Sequence, residues 1–271
     1  MTDRYAVIGH PIAHSKSPLI HAAFARQTGQ DLCYEAVLAP LDGFRASVQD
    51  FIAAGGKGMN VTVPFKIEAL ELADELTPRA RQAGAVNTLL FGPAGITGDN
   101  TDGAGLVRDI QERLQFALAG KRVLILGAGG AARGVILPLL ETGPACLAVA
   151  NRSLASAQAL RDQFAPFADL RIGGFADFAG ADFDLVINAT SAGLAGGALP
   201  LPAGMIARGA LAYDMVYGPA ARLFRQTALD LGAGQVVDGL GMLVYQAAES
   251  FRLWRGVSPD PLPVLALLRA G

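Results

Sequence analysis

Apolar residues along the first hundred positions switch between two periods. Tyr5-Ala6-Val7-Ile8-Gly9 is an unbroken apolar run, as in a short buried strand, whereas Leu19, Ile20, Ala23 and Phe24 recur at helical spacing from Pro18 until Gly29 can end the helix. After Gly55-Gly56-Lys57-Gly58 a second strand is expected to run through Val63, with Asn60 and Thr62 on one face and Val61 and Val63 on the other. That polar face should meet something polar. The pattern next predicts a helix over 67–76, then a hairpin in which 86–91 pairs with the segment near Ile96 across Gly92-Pro93-Ala94-Gly95. Asp102 and Gly103 introduce another helix, whose apolar positions Leu106, Val107, Ile110 and Leu114 suit an element linking two domains. A boundary near residue 103 follows.

From Lys121 the rhythm changes to strands near 122–126, 146–150, 183–188 and 210–214, with helical stretches between several of them, and helices around 240–255 and 260–269 finish the chain. Apolar strands alternating with helices build a parallel sheet covered on both faces, because each crossover lays a helix on the sheet. The fold class expected is therefore α/β in two domains, the second a doubly wound parallel sheet. No internal repeat or low-complexity linker interrupts the pattern.

Composition narrows the function without choosing it. A chain of 271 residues, 52% hydrophobic and 17% charged, can bury a sizeable core, and its net charge of -2 gives no basic field for nucleic acid or anionic lipid. Cys33 and Cys146 stand alone, which fits a reducing compartment better than a disulfide framework. No apolar run approaches the roughly 20 residues a spanning helix needs, and Met1-Thr2-Asp3-Arg4 does not open a signal peptide, so the expected location is cytoplasmic and no membrane partner is expected. His10 and His14 have the spacing of a zinc helix, but Pro11 between them opposes a regular helix, and no metal is expected.

The first chemical signal is Gly127-Ala128-Gly129-Gly130-Ala131-Ala132, placed between the apolar strand Val123-Leu124-Ile125-Leu126 and a helical stretch. Glycines there permit a tight turn and close approach of backbone to a pyrophosphate, whose charge meets the unpaired N–H groups of the helix start. About twenty residues on, where an NAD site carries an acid for the ribose hydroxyls, the chain has Asn151-Arg152-Ser153. Arg152 can bond a 2'-phosphate or stack on adenine, with Asn151 and Ser153 as neutral donors, so NADP is favoured over NAD. Asn188-Ala189-Thr190-Ser191-Ala192-Gly193 ends another strand on the same edge, and its small residues leave room for ribose and nicotinamide, as they would in an ordinary turn.

In the first domain, Ser15-Lys16-Ser17-Pro18 reads as a helix entrance with Ser17 as cap; its hydroxyls and N–H groups can bind a carboxylate or simply cap the helix. Lys66, one of four lysines, closes Asn60-Val61-Thr62-Val63-Pro64-Phe65-Lys66. Taken alone, Lys66 is a first-turn surface lysine and Asp102 a helix cap.

Context changes that balance. Gly9-His10-Pro11-Ile12-Ala13-His14-Ser15-Lys16-Ser17-Pro18, the segment from Asn60 to Lys66, Gly84-Ala85-Val86-Asn87-Thr88, Gly98-Asp99-Asn100-Thr101-Asp102-Gly103 and Asp238-Gly239-Leu240-Gly241-Met242-Leu243-Val244-Tyr245-Gln246 occur in this order with the glycine loop between them. The ordered set closely resembles the shikimate dehydrogenase family across essentially the whole chain. The resemblance implies NADPH-dependent reduction of 3-dehydroshikimate to shikimate in aromatic amino-acid biosynthesis. It implies a substrate-binding and catalytic domain over 1–103, a Rossmann-like NADP-binding domain over 104–238, and C-terminal helices over 239–271 that pack back on the first.

Carried over by position, the resemblance makes Lys66 and Asp102 the catalytic pair. Ser15 and Ser17 hold the substrate carboxylate, and Thr62, Asn87, Asp102 and Gln246 its hydroxyls. Tyr217 becomes a further substrate contact, and Met215 and Gly239 become nicotinamide neighbours beside Thr190. One departure stands out: the family often has a second arginine after the first in the 2'-phosphate loop, and here that position is Ser156. A ketone reduction needs a hydride on carbon and a proton on oxygen, and Lys66 as an ammonium beside Asp102 would supply the proton.

Rival readings are a quinate or dual quinate/shikimate dehydrogenase, and a non-catalytic sensor of a cyclic acid or nucleotide. No tyrosine has a lysine four positions later, so the pair used by short-chain reductases is missing. The expected partner is the small-molecule substrate, with no nucleic acid, and the chain is expected to be a monomer or homodimer.

Overall fold

The computed structural model describes residues 2–270, with no account of the Ala195 side chain. It divides into two compact units. The first ends at Leu106 and resumes at Leu243, and the second is Val107–Met242.

The first unit carries β1 (Asp3–Gly9), α1 (Ser17–Thr28), β2 (Leu32–Leu38), α2 (Phe44–Ala53), β3 (Gly56–Val61), α3 (Lys66–Leu72), β4 (Glu75–Leu76), α4 (Pro78–Ala83), β5 (Thr88–Gly92), β6 (Gly95–Asp99) and α5 (Asp102–Arg108). Its six strands form a mixed sheet in the order β2-β1-β3-β5-β6-β4. β1 pairs parallel with β2 and β3, and the β5–β6 hairpin closes where the glycines of its turn signalled, with Gly92 opposite Gly95. One face is sealed by Ile8, Phe44, Val48, Met59, Phe65 and Leu89.

Three local expectations need correction. The helix predicted over 67–76 stops at Leu72, because Asp74 turns away to exchange bonds with Ile96: its N–H donates to the Ile96 carbonyl at 2.8 Å, and its carboxylate accepts the Ile96 N–H at 2.7 Å. β4 then pairs with β6, so sheet pairing overrides helical propensity. The strand expected through Val63 ends at Val61, since the Phe65 N–H bonds back to the Thr62 carbonyl in a turn. Ser17 does not cap α1: Lys16 occupies the cap position without a side-chain bond, and Ser17 is the first helical residue.

The second unit contains β7 (Arg122–Leu126), α6 (Gly130–Leu140), β8 (Cys146–Ala150), α7 (Leu154–Phe164), β9 (Arg171–Gly173), β10 (Phe183–Asn188), β11 (Ile206–Asp214), α8 (Arg222–Asp230) and β12 (Gln235–Val237). All its strands are parallel, in the order β12-β11-β10-β7-β8-β9. β7 is the first strand of the unit yet lies in the middle of the sheet, so the winding reverses between β7 and β10. Such a reversal opens a crevice at the carboxyl ends of the strands, where this architecture binds ligands.

The chain passes between units inside helices. α5 runs on into a π-helical turn, Asp109–Arg113, and α9 (Leu240–Arg255) begins in the second unit and continues in the first, followed by α10 (Pro261–Ala270). Among the described residues no helix is long and apolar enough to cross a membrane. Within the first unit α9 approaches α5 so closely that a Cβ on Gly105 would lie 2.6 Å from the Gln246 backbone nitrogen, so only glycine fits there. Further along α9, Trp254 stacks on Tyr5 at 4.7 Å and donates to the Leu89 carbonyl at 3.0 Å, fastening the C-terminal segment to the first sheet.

His21 sits under that contact, fully buried and stacked on Tyr34 at 4.1 Å between ring centroids. Neither ring nitrogen has a hydrogen-bond partner among the described residues. Burial pulls its pKa down to about 3, a pull the neighbouring Asn60 amide offsets only in part. The unfolded chain therefore binds a proton near the ordinary imidazole value while the folded chain does not, and folding stability falls as pH drops from about 6.5 towards 3. Glu249, held down to about 2 chiefly by its bond from Arg252, adds a loss of the same sign, but only below the ordinary carboxylate range. Between pH 6.5 and 4.5 the opposing shift is that of Asp214, whose carboxyl is pushed up to about 6 by burial and so gains stability as pH falls; the histidine is read from the difference between wild type and a His21 variant. Urea unfolding should show the wild-type chain losing on the order of 2–3 kcal/mol relative to His21→Leu across that interval; equal slopes would show that His21 is not held neutral.

Candidate active site

Lys66 owes its placement to the residue before it. Phe65 is fully buried and stacks on Phe44 at 5.0 Å, so the first turn of α3 is pinned from below. From that fixed base the Lys66 ammonium reaches Asp102 at the start of α5, with Nζ 2.5 Å from Oδ2. The other carboxylate oxygen accepts from Asn87 Nδ2 at 2.8 Å. With both oxygens engaged, the Asp102 carboxylate is held from two directions. The lysine side chain stays 30% exposed against 14% for the aspartate, so the ammonium keeps an open side.

Behind this pair lies a buried polar network. Asn87 Oδ1 accepts from the Thr101 N–H at 2.8 Å and from the Thr88 hydroxyl at 2.9 Å. Asn60 Nδ2 donates to Thr88 Oγ1 and to Ser250 Oγ, and Asn60 Oδ1 accepts from the Tyr34 hydroxyl at 2.8 Å. The polar face of β3 meets what its pattern required. Gln246 on α9 joins through Oε1, 3.3 Å from the Thr101 hydroxyl and 3.4 Å from Asn87 Nδ2. A buried amide or hydroxyl without a partner costs about 1–3 kcal/mol, so mutual satisfaction holds these groups in one arrangement.

The turn that carries Asp102 is set by a second cluster. Asp99 accepts from the Asn100 N–H, the Thr77 hydroxyl and two Arg79 nitrogens, all between 2.6 and 2.7 Å. Burial pushes its pKa up, but the Arg79 guanidinium and the Thr77 and Asn100 donors outweigh that and hold it below the ordinary range. Arg79 also reaches Glu249 at 3.1 Å, so α9 is tied to the same turn.

Ser15 and Ser17 lie at the start of α1, where Ser15 Oγ accepts the Ser17 N–H at 3.3 Å. Ser17 is buried at the start of α1, a helix that packs on β2. Thr62 lies just beyond β3, its N–H bonded to the Ile8 carbonyl. Direct bonds therefore link Lys66, Asp102, Asn87 and Gln246, and through Thr88 and Asn60 the network reaches Tyr34. Sequence reading did not single out Tyr34, Thr88, Thr101 or Ser250 as parts of this constellation. Only the polar positions on β3 hinted at them.

In the second unit the glycine loop leaves β7 at the point where the winding reverses. Gly127 has φ +104°, which L side chains rarely adopt, and it packs against Thr190 from the loop after β10. Gly129 and Gly130 face open space, and α6 starts without a side-chain cap. Ala128 and Ala131 complete a small-residue rim whose backbone N–H groups can receive a pyrophosphate. Asn151, Arg152 and Ser153 follow β8 directly. The Asn151 amide bonds the Ser153 carbonyl, Ser156 bonds the Ser153 hydroxyl, and Arg152 is exposed with no ion pair among the described residues. A free guanidinium beside neutral hydroxyls suits a phosphate. Met215 and Tyr217 lie on the loop after β11 and Gly239 before α9, so Tyr217 belongs to the second unit and the other expected substrate residues to the first. Burial raises the pKa of the Tyr217 phenol.

No group of three or more His, Cys, Asp or Glu that could hold a metal occurs among the described residues, and His10 is instead bonded to the Ala39 carbonyl.

Comparison with known proteins agrees over the full length. Residues 7–89 match the shikimate dehydrogenase substrate binding domain, 109–195 match shikimate / quinate 5-dehydrogenase, and 239–269 match the shikimate 5'-dehydrogenase C-terminal domain. The chain is 61% identical to shikimate dehydrogenase (NADP(+)) of Dechloromonas aromatica, covering 100% of this chain and 98% of that one. It is 63% identical to that of Aromatoleum aromaticum, covering 98% and 97%. A crystal structure of shikimate 5-dehydrogenase from Thermus thermophilus, in complex with NADP(H) and shikimate, is 36% identical with a TM-score of 0.89, covering 99% of each chain. On sequence identity, coverage and fold together, the chain belongs to the shikimate dehydrogenase family.

Proposed function

We propose that the chain interconverts 3-dehydroshikimate and shikimate as an NADP-dependent oxidoreductase of aromatic amino-acid biosynthesis, with Lys66 and Asp102 as its catalytic pair. The observation that carries this reading is the 2.5 Å contact between Lys66 and a carboxylate that Asn87 holds from its other side. Bound NADPH supplies the hydride that reduces the ketone carbon. Lys66 gives a proton from Nζ to the ketone oxygen as charge develops there, and takes it back in the oxidative direction. Asp102 orients the ammonium and, with Asn87, Thr62, Gln246 and Tyr217, binds hydroxyls of the ring. Ser15 and Ser17 take the carboxylate, which needs donors rather than a metal.

The residues of the second unit fit the dinucleotide in parts. Gly127, Ala128, Gly129, Gly130 and Ala131 receive the pyrophosphate, Asn151, Arg152 and Ser153 the 2'-phosphate end, and Thr190, Met215 and Gly239 the ribose and nicotinamide end. With Ser156 where a second arginine would stand, discrimination for NADP rests on one cation. We assign the substrate and catalytic role to residues 1–103 with the C-terminal helices over 239–271, and the cofactor role to 104–238. The free cysteines Cys33 and Cys146 support a reducing, cytoplasmic setting, and we take the protein to be a monomer or homodimer whose partner is the small-molecule substrate, with no nucleic acid and no membrane.

Purified protein assayed with shikimate and quinate, each with NADP and NAD, should turn over shikimate with NADP best; preference for quinate would transfer the assignment to the rival acid. Lys66→Ala should keep NADPH binding and lower kcat by about 100- to 10,000-fold, the usual contribution of a general acid. Near-normal turnover in that variant removes Lys66 from the reaction. Arg152→Gln should raise KM for NADPH by about 10- to 100-fold, the worth of one charge-assisted bond, and leave KM for NADH unchanged. Equal effects on both cofactors would mean that Arg152 does not read the phosphate.

A further inference from the structure

Along the carboxyl edge of the second sheet, β10 ends at Asn188 and β11 at Asp214, and the two are register partners. Both side chains are buried. A single oxygen of Asp214, Oδ1, accepts from Asn188 Nδ2 at 3.1 Å and from the Val216 N–H at 3.0 Å. Each donor passes the constraint on. Asn188 Oδ1 accepts from the Thr190 N–H at 3.0 Å and the Thr190 hydroxyl at 2.7 Å, and the Asn188 carbonyl accepts the Met215 N–H at 2.9 Å. The Val216 carbonyl accepts the Gly239 N–H at 3.0 Å. Through these bonds one carboxylate oxygen reaches the loops carrying Thr190, Met215 and Gly239.

Local stability does not explain an acid at this position. The second oxygen, Oδ2, is buried without a partner among the described residues, and burial pushes the carboxyl pKa up to about 6 against the pull of the Val216 and Asn188 donors. A half-satisfied buried acid is a net cost to the fold. What its bonded oxygen does is key two loops to each other from a point neither loop contains.

We propose that Asp214 is a positioning residue for the hydride step, holding the loops after β10 and β11 so that Thr190, Met215 and Gly239 receive the ribose and nicotinamide in one fixed arrangement. The proposal rests on the reading that these three residues meet that half of the cofactor. Asp214 itself does not touch cofactor or substrate; it acts through Asn188 and Val216.

The test compares Asp214→Ala, which loses both bonds, with Asp214→Asn, whose amide oxygen can accept the same two donors. Asp214→Ala should raise KM for NADPH by about tenfold or more, as expected for loss of at least one net hydrogen bond, and lower kcat with it. Affinity for adenosine 2',5'-bisphosphate, which lacks the nicotinamide half and addresses the Arg152 loop, should stay unchanged. Asp214→Asn should restore kcat and KM towards wild type. Wild-type constants in Asp214→Ala overturn the proposal, as do an Asp214→Asn as impaired as Asp214→Ala, or a parallel fall in bisphosphate affinity, which would mark a merely structural role. If Asp214→Ala does not fold, Asn188→Ala breaks the same relay one residue later and should show the same split; wild-type constants there also overturn it. Met215→Trp tests the underlying reading separately. An unchanged KM for NADPH in that variant rejects the cofactor contacts themselves, whereas an effect there with none in Asp214→Ala or Asn188→Ala rejects the positioning role alone.

Discussion

A charged amine can serve as an acid in a reaction only if something fixes where its proton points, and a flexible four-carbon stem works against that. In this protein the constraint comes from Asp102, whose two oxygens are claimed by Lys66 and Asn87. Much of the first unit supports that one carboxylate. Asn87 is held by Thr88 and Thr101, those by Ser250 and Asn60, and Asn60 by Tyr34, while Asp99 and Arg79 fix the turn from which Asp102 projects. Asn60, Asn87, Thr88, Asp99, Thr101 and Ser250 are buried, and each would be left unsatisfied by a different arrangement.

The second unit answers a different demand, that of approaching a polyanion with neutral backbone. The reversal of winding between β7 and β10 opens the sheet edge, the glycines leave the start of α6 bare, and Arg152 is exposed just after β8. The two units thus differ in character: side chains tied by direct bonds around Lys66 and Asp102 in the first, exposed glycine backbone at the sheet edge in the second.

Much of this was legible in the sequence because it depends on short-range rules. The apolar runs near 122–126, 146–150 and 183–188 are strands at those positions, the glycine pair across 92–95 closes its hairpin, and Gly29 ends α1. The misses are equally physical. Residues 73–76 look helical by spacing, but the pairing of Asp74 with Ile96 is long-range and leaves no local mark. β2 and α2 carry mixed patterns that only their neighbours in the fold resolve. Lys66 and Asp102 were assigned through the resemblance of whole segments, since neither residue's surroundings distinguish it from a surface lysine or a cap. Ser250, 190 positions from Asn60, had no local signal at all, because its role exists only once α9 has docked.

That docking has a consequence for biosynthesis. The second unit is one uninterrupted stretch, whereas the first is completed only by residues from Leu243 onward. Until that stretch has emerged from the ribosome, Asn60 and Thr88 lack Ser250, Arg79 lacks Glu249, and Leu89 lacks the Trp254 indole. The amino-terminal portion, although synthesised before the middle, stays incompletely bonded until those residues emerge, whereas the second unit is contiguous in the chain, the reverse of the vectorial order in which nascent domains usually mature.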